Sequence, residues 1–192
     1  GQDAASRALR RLSPAKIKTG CYPVIFEAPV APSIISALVS AVSGGNLFRE
    51  TSFLLNSLDS KVASSILTIK EDPFQLSGNA STSFDDDGVM VQPRVVVDKG
   101  YLSGYFLSTY SGKRLGMETT GNAGGAHNLI INSTVENLNK LIAQMDTGLI
   151  VTELMGQGLN MVTGDYSRGV AGLWVEKGVI KHAVEEITIA GN

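Results

Sequence analysis

At 192 residues, with 16 Lys and Arg against 18 Asp and Glu, the chain carries a formal net charge of −2 and a pI near 5.7. That balance excludes a general electrostatic attraction to nucleic acid or to anionic lipid. The length suffices for one domain, or one domain with part of another, and for burying roughly 70% of the surface an unfolded chain exposes.

Residues 4–12 read as a helix with Ala5, Ala8, Leu9 and Leu12 on one side, stopped by Pro14. The basic cluster Arg7, Arg10, Arg11, Lys16 and Lys18 reads as a solvated face. Cys21 is the sole cysteine, which forbids an internal disulfide and fits a reducing compartment. Residues 22–26 form a short apolar run of strand formers, bounded by Pro29 and Pro32. A helix over residues 32–43 follows. Pro32 suits its first turn, and Gly44-Gly45 supplies the C-terminal stop.

The middle of the chain is strand-rich. Residues 66–69 are one candidate, and residues 94–98 and 101–107 make a hairpin whose turn needs Gly100 at positive φ. The same turn chemistry, Glu-Lys-Gly, recurs around Gly178. Residues 71–88 lack periodicity, and an unpatterned stretch of that length is usually functional or mobile. A helix begins at Ser133, with Glu136 completing a capping box. Its stripe is Val135, Leu138, Leu141, Ile142 and Met145, and Gly148 ends it. Strands then alternate with glycine turns to Asn192. With 21 glycines, above the usual share of about 7%, the expected fold is α+β: a large, mainly antiparallel sheet with a few packed helices.

Few residues qualify for chemistry. A hydrolytic metal site needs three protein ligands and an open position for water. The two histidines, His127 and His182, stand far apart, and neither has a Glu or second His at helical ligand spacing. Each therefore reads as a structural or surface histidine. Asp85-Asp86-Asp87-Gly88 lacks the alternating ligands of a calcium loop and reads as a turn. There is no Gly-x-Ser-x-Gly elbow for a serine nucleophile, and no base lies beside Cys21 in sequence. Gly121-Asn122-Ala123-Gly124-Gly125 lacks the lysine and spacing of a phosphate loop. It reads as a sharp bend where the backbone passes close to a strand, a partner or a peptide. Thr120, Gly121, Asn122, Gly124, Gly125 and His127 are the expected contact residues; no catalytic or metal-ligating residue is expected.

From Glu153 the chain runs Glu-Leu-Met-Gly-Gln-Gly-Leu-Asn-Met-Val-Thr-Gly-Asp-Tyr-Ser-Arg-Gly-Val-Ala-Gly-Leu-Trp-Val-Glu-Lys-Gly. Together with Tyr22-Pro23-Val24-Ile25-Phe26, Ser81-Thr82-Ser83-Phe84-Asp85 and Leu115-Gly116, this closely resembles the TldE/PmbA branch of the TldD/PmbA family. The resemblance covers nearly the whole chain. Members of that family are longer. Residues 1–19 then read as the tail end of an upstream domain or a linker, and residues 20–192 as a C-terminal TldD/PmbA-type domain truncated at its C-terminus. The family supplies subunits of a two-component zinc metalloprotease, in which the TldD branch carries a His-Glu-x-x-x-His helix. Laid on this chain, that motif falls near Ala37, Leu38 and Val42, and residues 36–43 contain no His, Glu, Asp or Cys. Their apolar and small side chains suit a buried helix packed on two sides.

What the resemblance implies is a metal-free subunit, non-catalytic by itself, that joins a TldD-like partner in a heterodimer or larger assembly. The zinc would sit in that partner, and the pair would cleave unfolded or modified peptides in proteolysis and peptide maturation. A homodimer is the alternative for the isolated chain. A stand-alone peptide-binding or scaffold protein without proteolytic activity is the competing reading. An older label links the family to DNA gyrase, but this composition gives direct DNA binding no support. No run approaches 18 apolar residues and no leader opens the chain, so a cytoplasmic protein without membrane contact is expected.

Overall fold

The computed structural model describes the chain from Gly1 to Asn192, apart from the side chain of Asp3. Among the described residues there are five helices: α1 (Gln2–Leu9), α2 (Pro32–Ala41), α3 (Gly44–Phe48), α4 (Thr109–Leu115) and α5 (Leu138–Met145). The eight strands are β1 (Val24–Phe26), β2 (Ile69–Asp72), β3 (Arg94–Asp98), β4 (Tyr101–Leu102), β5 (Asn128–Ile131), β6 (Gly148–Met155), β7 (Tyr166–Glu176) and β8 (Val179–Gly191). The expected mixture of helices with mainly antiparallel strands is present, and the strands divide between two four-stranded sheets. The chain forms two compact units, one of residues 1–35, 135–160 and 164–192, the other of residues 36–134 and 161–163. Among the described residues no helix is long and apolar enough to cross a membrane.

The first unit is built on the sheet β1-β6-β7-β8, in which only β1–β6 is parallel. Its central strands read as apolar runs because both faces are covered. Ile150, Leu173, Val175 and Ala183 pack with Ile142 of α5 on one face. Leu149, Val151, Val170, Trp174 and Val184 pack on the other. Each Val, Leu or Ile among these, fully buried, contributes about 1.5–3 kcal/mol. Tyr22 meets Trp174 edge-on at 4.9 Å. The β7–β8 hairpin turns through Lys177 (φ 53°) and Gly178 (φ 69°), a left-handed pair matched to the twist of the strands. The arginines of the N-terminal segment form ion pairs within this unit. Arg7 and Arg10 pair with Glu27 at 2.9 and 3.4 Å, and Arg11 pairs with Glu153 at 2.5 Å.

The second unit carries the antiparallel sheet β4-β3-β2-β5. Its β3–β4 hairpin turns through Lys99 (φ 45°) and Gly100 (φ 84°), as the sequence pattern requires. A Cβ at Gly100 would lie 2.4 Å from the Ala63 carbonyl oxygen, so glycine is needed for space as well as for φ.

Several local expectations are corrected. α2 ends at Ala41, and Gly44 and Gly45 open α3 instead of terminating a helix, because Gly44 N donates to Phe106 O at 2.8 Å and redirects the chain. Only the C-terminal end of that helical segment is buried, at Ala41 and Val42. There Ser52 Oγ donates to Ala41 O at 2.5 Å and Phe106 N to Val42 O at 3.0 Å. Residues 33–40 are half-exposed or exposed, not packed on two sides. α5 starts at Leu138, not at Ser133, since the Asn137 side chain accepts from Lys140 N and is as good a cap as serine. It ends at Met145, and Gly148 is the first residue of β6. β2 meets the expected strand only at Ile69, and β4 spans two residues where seven were expected. α4 escaped sequence reading. Its capping box pairs Ser108 with Ser111, without the acidic or amide residue that makes such boxes conspicuous, and Gly116 (φ 67°) closes it.

Candidate functional site

Glu71 lies on the buried side of β2, one residue pair from Ile69, and its cross-strand neighbour on β3 is Arg94. Only 1% of the Glu71 side chain is exposed. Burial of a carboxylate at that depth is costly unless every lone pair is occupied, and here the donors are present. Arg94 Nε donates to Oε2 at 2.6 Å. Oε1 accepts from Asn122 Nδ2 at 2.7 Å, from the His127 backbone N–H at 2.8 Å, and from His127 Nδ1 at 2.8 Å. An ionised carboxylate only accepts, so the His127 Nδ1 carries a proton in this contact.

The network extends into the glycine loop. Arg94 Nη1 donates to Tyr105 O at 2.8 Å and Nη2 to Asn122 Oδ1 at 3.0 Å, while the guanidinium lies 4.9 Å over the Phe106 ring. Asn122 Nδ2 also donates to Gly125 O at 3.1 Å, and Thr120 Oγ1 stands 2.7 Å from Asn122 Oδ1. A second buried carboxylate holds the outer side: Asp85 accepts from Ala123 N, Asp87 N and Val89 N at 2.9, 3.0 and 2.9 Å. In both groups burial alone would raise the carboxyl pKa, but the donors overcome it. For Glu71 these are the His127 N–H, the Arg94 charge and hydrogen bonds from Arg94 and Asn122. For Asp85 they are chiefly the N–H groups of Ala123, Val89 and Asp87. Both pKa values fall below the ordinary carboxylate value.

Of the expected contact residues, Gly121 and Asn122 are buried, Thr120 and His127 half-buried, and Gly124 and Gly125 exposed. Asn122, Ala123, Gly124, Gly125 and Ala126 line an open groove of about 430 Å³, with Phe48, Phe106, Tyr110 and Arg49 among its other walls. Thr120, Gly121 and His127 lie behind that wall instead of on it. Gly124 has φ 98°, and a Cβ there would fall 2.5 Å from Asp86 Oδ2, so the loop's bend depends on glycine. Sequence reasoning found the loop but missed Glu71 and Arg94, which lie 23 residues apart and carry no local signal.

The arrangement suits recognition more than bond-breaking. An acid catalyst needs a raised pKa, whereas Glu71 is held ionised with its lone pairs occupied. Among the described residues no three His, Cys, Asp or Glu side chains gather to hold a metal ion, so the donor set here does not fit zinc. His182 lies in the other unit, on β8, with Nδ1 3.0 Å from Ala183 O. Cys21 is an exposed free thiol. It lines a groove of about 500 Å³ in the first unit and has no hydrogen-bonded base among the described residues.

Known proteins carry the same framework. Residues 19–192 match the family model for the PmbA/TldA metallopeptidase C-terminal domain. The metalloprotease PmbA of Escherichia coli O157:H7 is 48% identical over 192 residues, covering 100% of this chain and 43% of that protein. A crystal structure from Bacteroides thetaiotaomicron bearing the gyrase-modulator label has a TM-score of 0.95 at 34% identity, covering 100% of this chain and 43% of its own. TldE from Thermococcus kodakarensis has a TM-score of 0.85 at 28% identity, covering 100% of this chain and 46% of its own. The chain thus spans less than half the length of the relatives it matches. With its whole length aligned to PmbA and its fold shared with TldE, the chain belongs to the PmbA/TldD metallopeptidase family, on the PmbA/TldE side.

Proposed function

We propose that the chain is part of the metal-free subunit of a two-component zinc metallopeptidase that cleaves unfolded or modified peptides in the cytoplasm. The TldD-like partner supplies the zinc, and this chain supplies a wall of the peptide path. The observation that carries this reading is a contrast. The helix on which the TldD branch bears its His-Glu-x-x-x-His motif has here only apolar and small side chains over residues 36–43. Meanwhile a fully hydrogen-bonded buried carboxylate, Glu71, is devoted to shaping a glycine loop on an open groove.

A loop whose outer surface is backbone and Cβ-free residues discriminates little between side chains, which suits varied peptide sequences. The buried network behind it sets the loop's shape before a peptide arrives, which lowers the ordering cost of binding. To test the reading, the chain is purified alone and with a TldD-like subunit, and bound zinc and peptide cleavage are measured for each. Zinc should accompany the partner, and cleavage should require both. Stoichiometric zinc with cleavage by this chain alone would falsify it.

A further inference from the structure

Residues 71–93 hold five acidic side chains, Glu71, Asp72, Asp85, Asp86 and Asp87, and not one Lys, Arg or His, in a chain whose net charge is only −2. On the same segment four large apolar side chains face solvent: Phe74 is 54% exposed, Leu76 94%, Phe84 62% and Met90 69%. Scattered exposed apolar residues are ordinary. Four on one short loop are not, and such groupings mark interaction surfaces.

The loop holds these side chains out by internal bonding. Thr82 N donates to Pro73 O at 3.0 Å, and Ser81 Oγ to Gln75 O at 2.7 Å. These bonds tie the arm bearing Phe74 and Leu76 to the arm bearing Phe84. Asn128 clamps both, donating to Asp72 O at 2.9 Å and to Ser81 Oγ at 2.8 Å while accepting from Ala80 N at 3.0 Å. Phe84 and Met90 oppose one another in an isolated antiparallel bridge, and Asp85 closes the turn between them. Asp86 is exposed, with its carboxylate beside Gly124, and makes no side-chain hydrogen bond or ion pair among the described residues, so its charge is uncompensated.

We infer that this loop is the docking surface for the TldD-like subunit, which presents to it an apolar patch rimmed with Lys or Arg. The inference rests on the two-component reading above and adds the surface and its chemistry. Charge counts against the other occupants. A second copy meeting the same loop would set Asp86 and Asp87 against themselves, and an anionic membrane or nucleic acid would be repelled. An extended peptide adds along a strand edge through main-chain pairing, and here Thr82, Asp85 and Val91 already direct their N–H groups to carbonyls within the loop. The loop is also bonded to the candidate site, through Ala123 N to Asp85 Oδ2 at 2.9 Å and Asp86 N to Ala123 O at 3.1 Å. Docking on its outer face therefore bears on the glycine loop.

The test mixes the chain with a TldD-like subunit and measures association by titration calorimetry and light scattering, with thermal melts as a folding control. The wild-type pair should associate. Leu76→Asp and Phe84→Asp should each weaken association about tenfold or more, as expected of residues central to an interface, with melts unchanged because both side chains are exposed. Ile66→Asp, at a residue 63% exposed but outside the loop, should leave association intact. Asp86→Asn should reduce the salt dependence of the association rate. If the wild-type pair associates and both aspartate variants bind as well as wild type, the surface is wrong while the two-component reading stands. If the wild-type pair does not associate, both fail. Self-association of the chain abolished by Leu76→Asp would also overturn the inference, by assigning the loop to a second copy.

Discussion

The Glu71 carboxylate receives four hydrogen bonds from three residues, and each donor is itself fixed by the loop it supports. Removing one member of such a buried set leaves the others uncompensated. Glu71→Gln should therefore cost roughly 3 kcal/mol in urea unfolding, by setting amide hydrogens against Arg94 and His127. The pH response has a definite sign. Glu71 and Asp85 both have folded pKa values below their unfolded ones, so their contribution is complete above the unfolded range and disappears as acid takes the pH through the folded values. Stability should be level above about pH 5 and fall below about pH 4, with a shallower fall in Glu71→Gln. An acid titration of the urea midpoint checks both statements. At Gly124, φ 98° and the nearby Asp86 carboxylate leave no room for a branched side chain. Gly124→Val should weaken peptide binding several-fold in fluorescence anisotropy while leaving any bound zinc in the assembled pair unchanged.

Elements show where local chemistry suffices. Two hairpins were legible because Lys-Gly between apolar runs admits the left-handed pair that a tight antiparallel turn requires, and both turns form at Lys99-Gly100 and Lys177-Gly178. Gly100→Ala should cost about 1–3 kcal/mol, since its φ is positive and its Cβ would strike the Ala63 carbonyl; thermal denaturation measures it. The α5 start was misread because Ser133 and Asn137 are both good caps, and only the Asn137–Lys140 bond shows which one begins the helix. Asn137→Ala should lower stability by about 1 kcal/mol. α3 and α4 were missed for a related reason. At five and seven residues they are too short for an apolar stripe to stand out, and their boundaries come from contacts with residues remote in sequence, Phe106 and Asp87.

At the scale of the molecule, the near-balanced charge is a property of pairing as well as of counting. In the N-terminal segment Arg7 and Arg10 share Glu27 and Arg11 pairs with Glu153, which lessens the positive charge left there to track a phosphate backbone. A gel-shift assay with duplex DNA at physiological salt should show no retardation by this chain. Family membership, the absence of ligand-type side chains from residues 36–43 and the glycine-rich bend at residues 121–125 could all be read from the order of residues alone. Each depends on residue type and near-neighbour spacing, which the chain carries whether folded or not. The Glu71–Arg94–Asn122–His127 network, the division of strands between two sheets and the outward display of Phe74, Leu76, Phe84 and Met90 emerged only on folding. They arise from register between segments separated by tens of residues, and register is decided by which apolar faces are buried together, information that no local pattern contains.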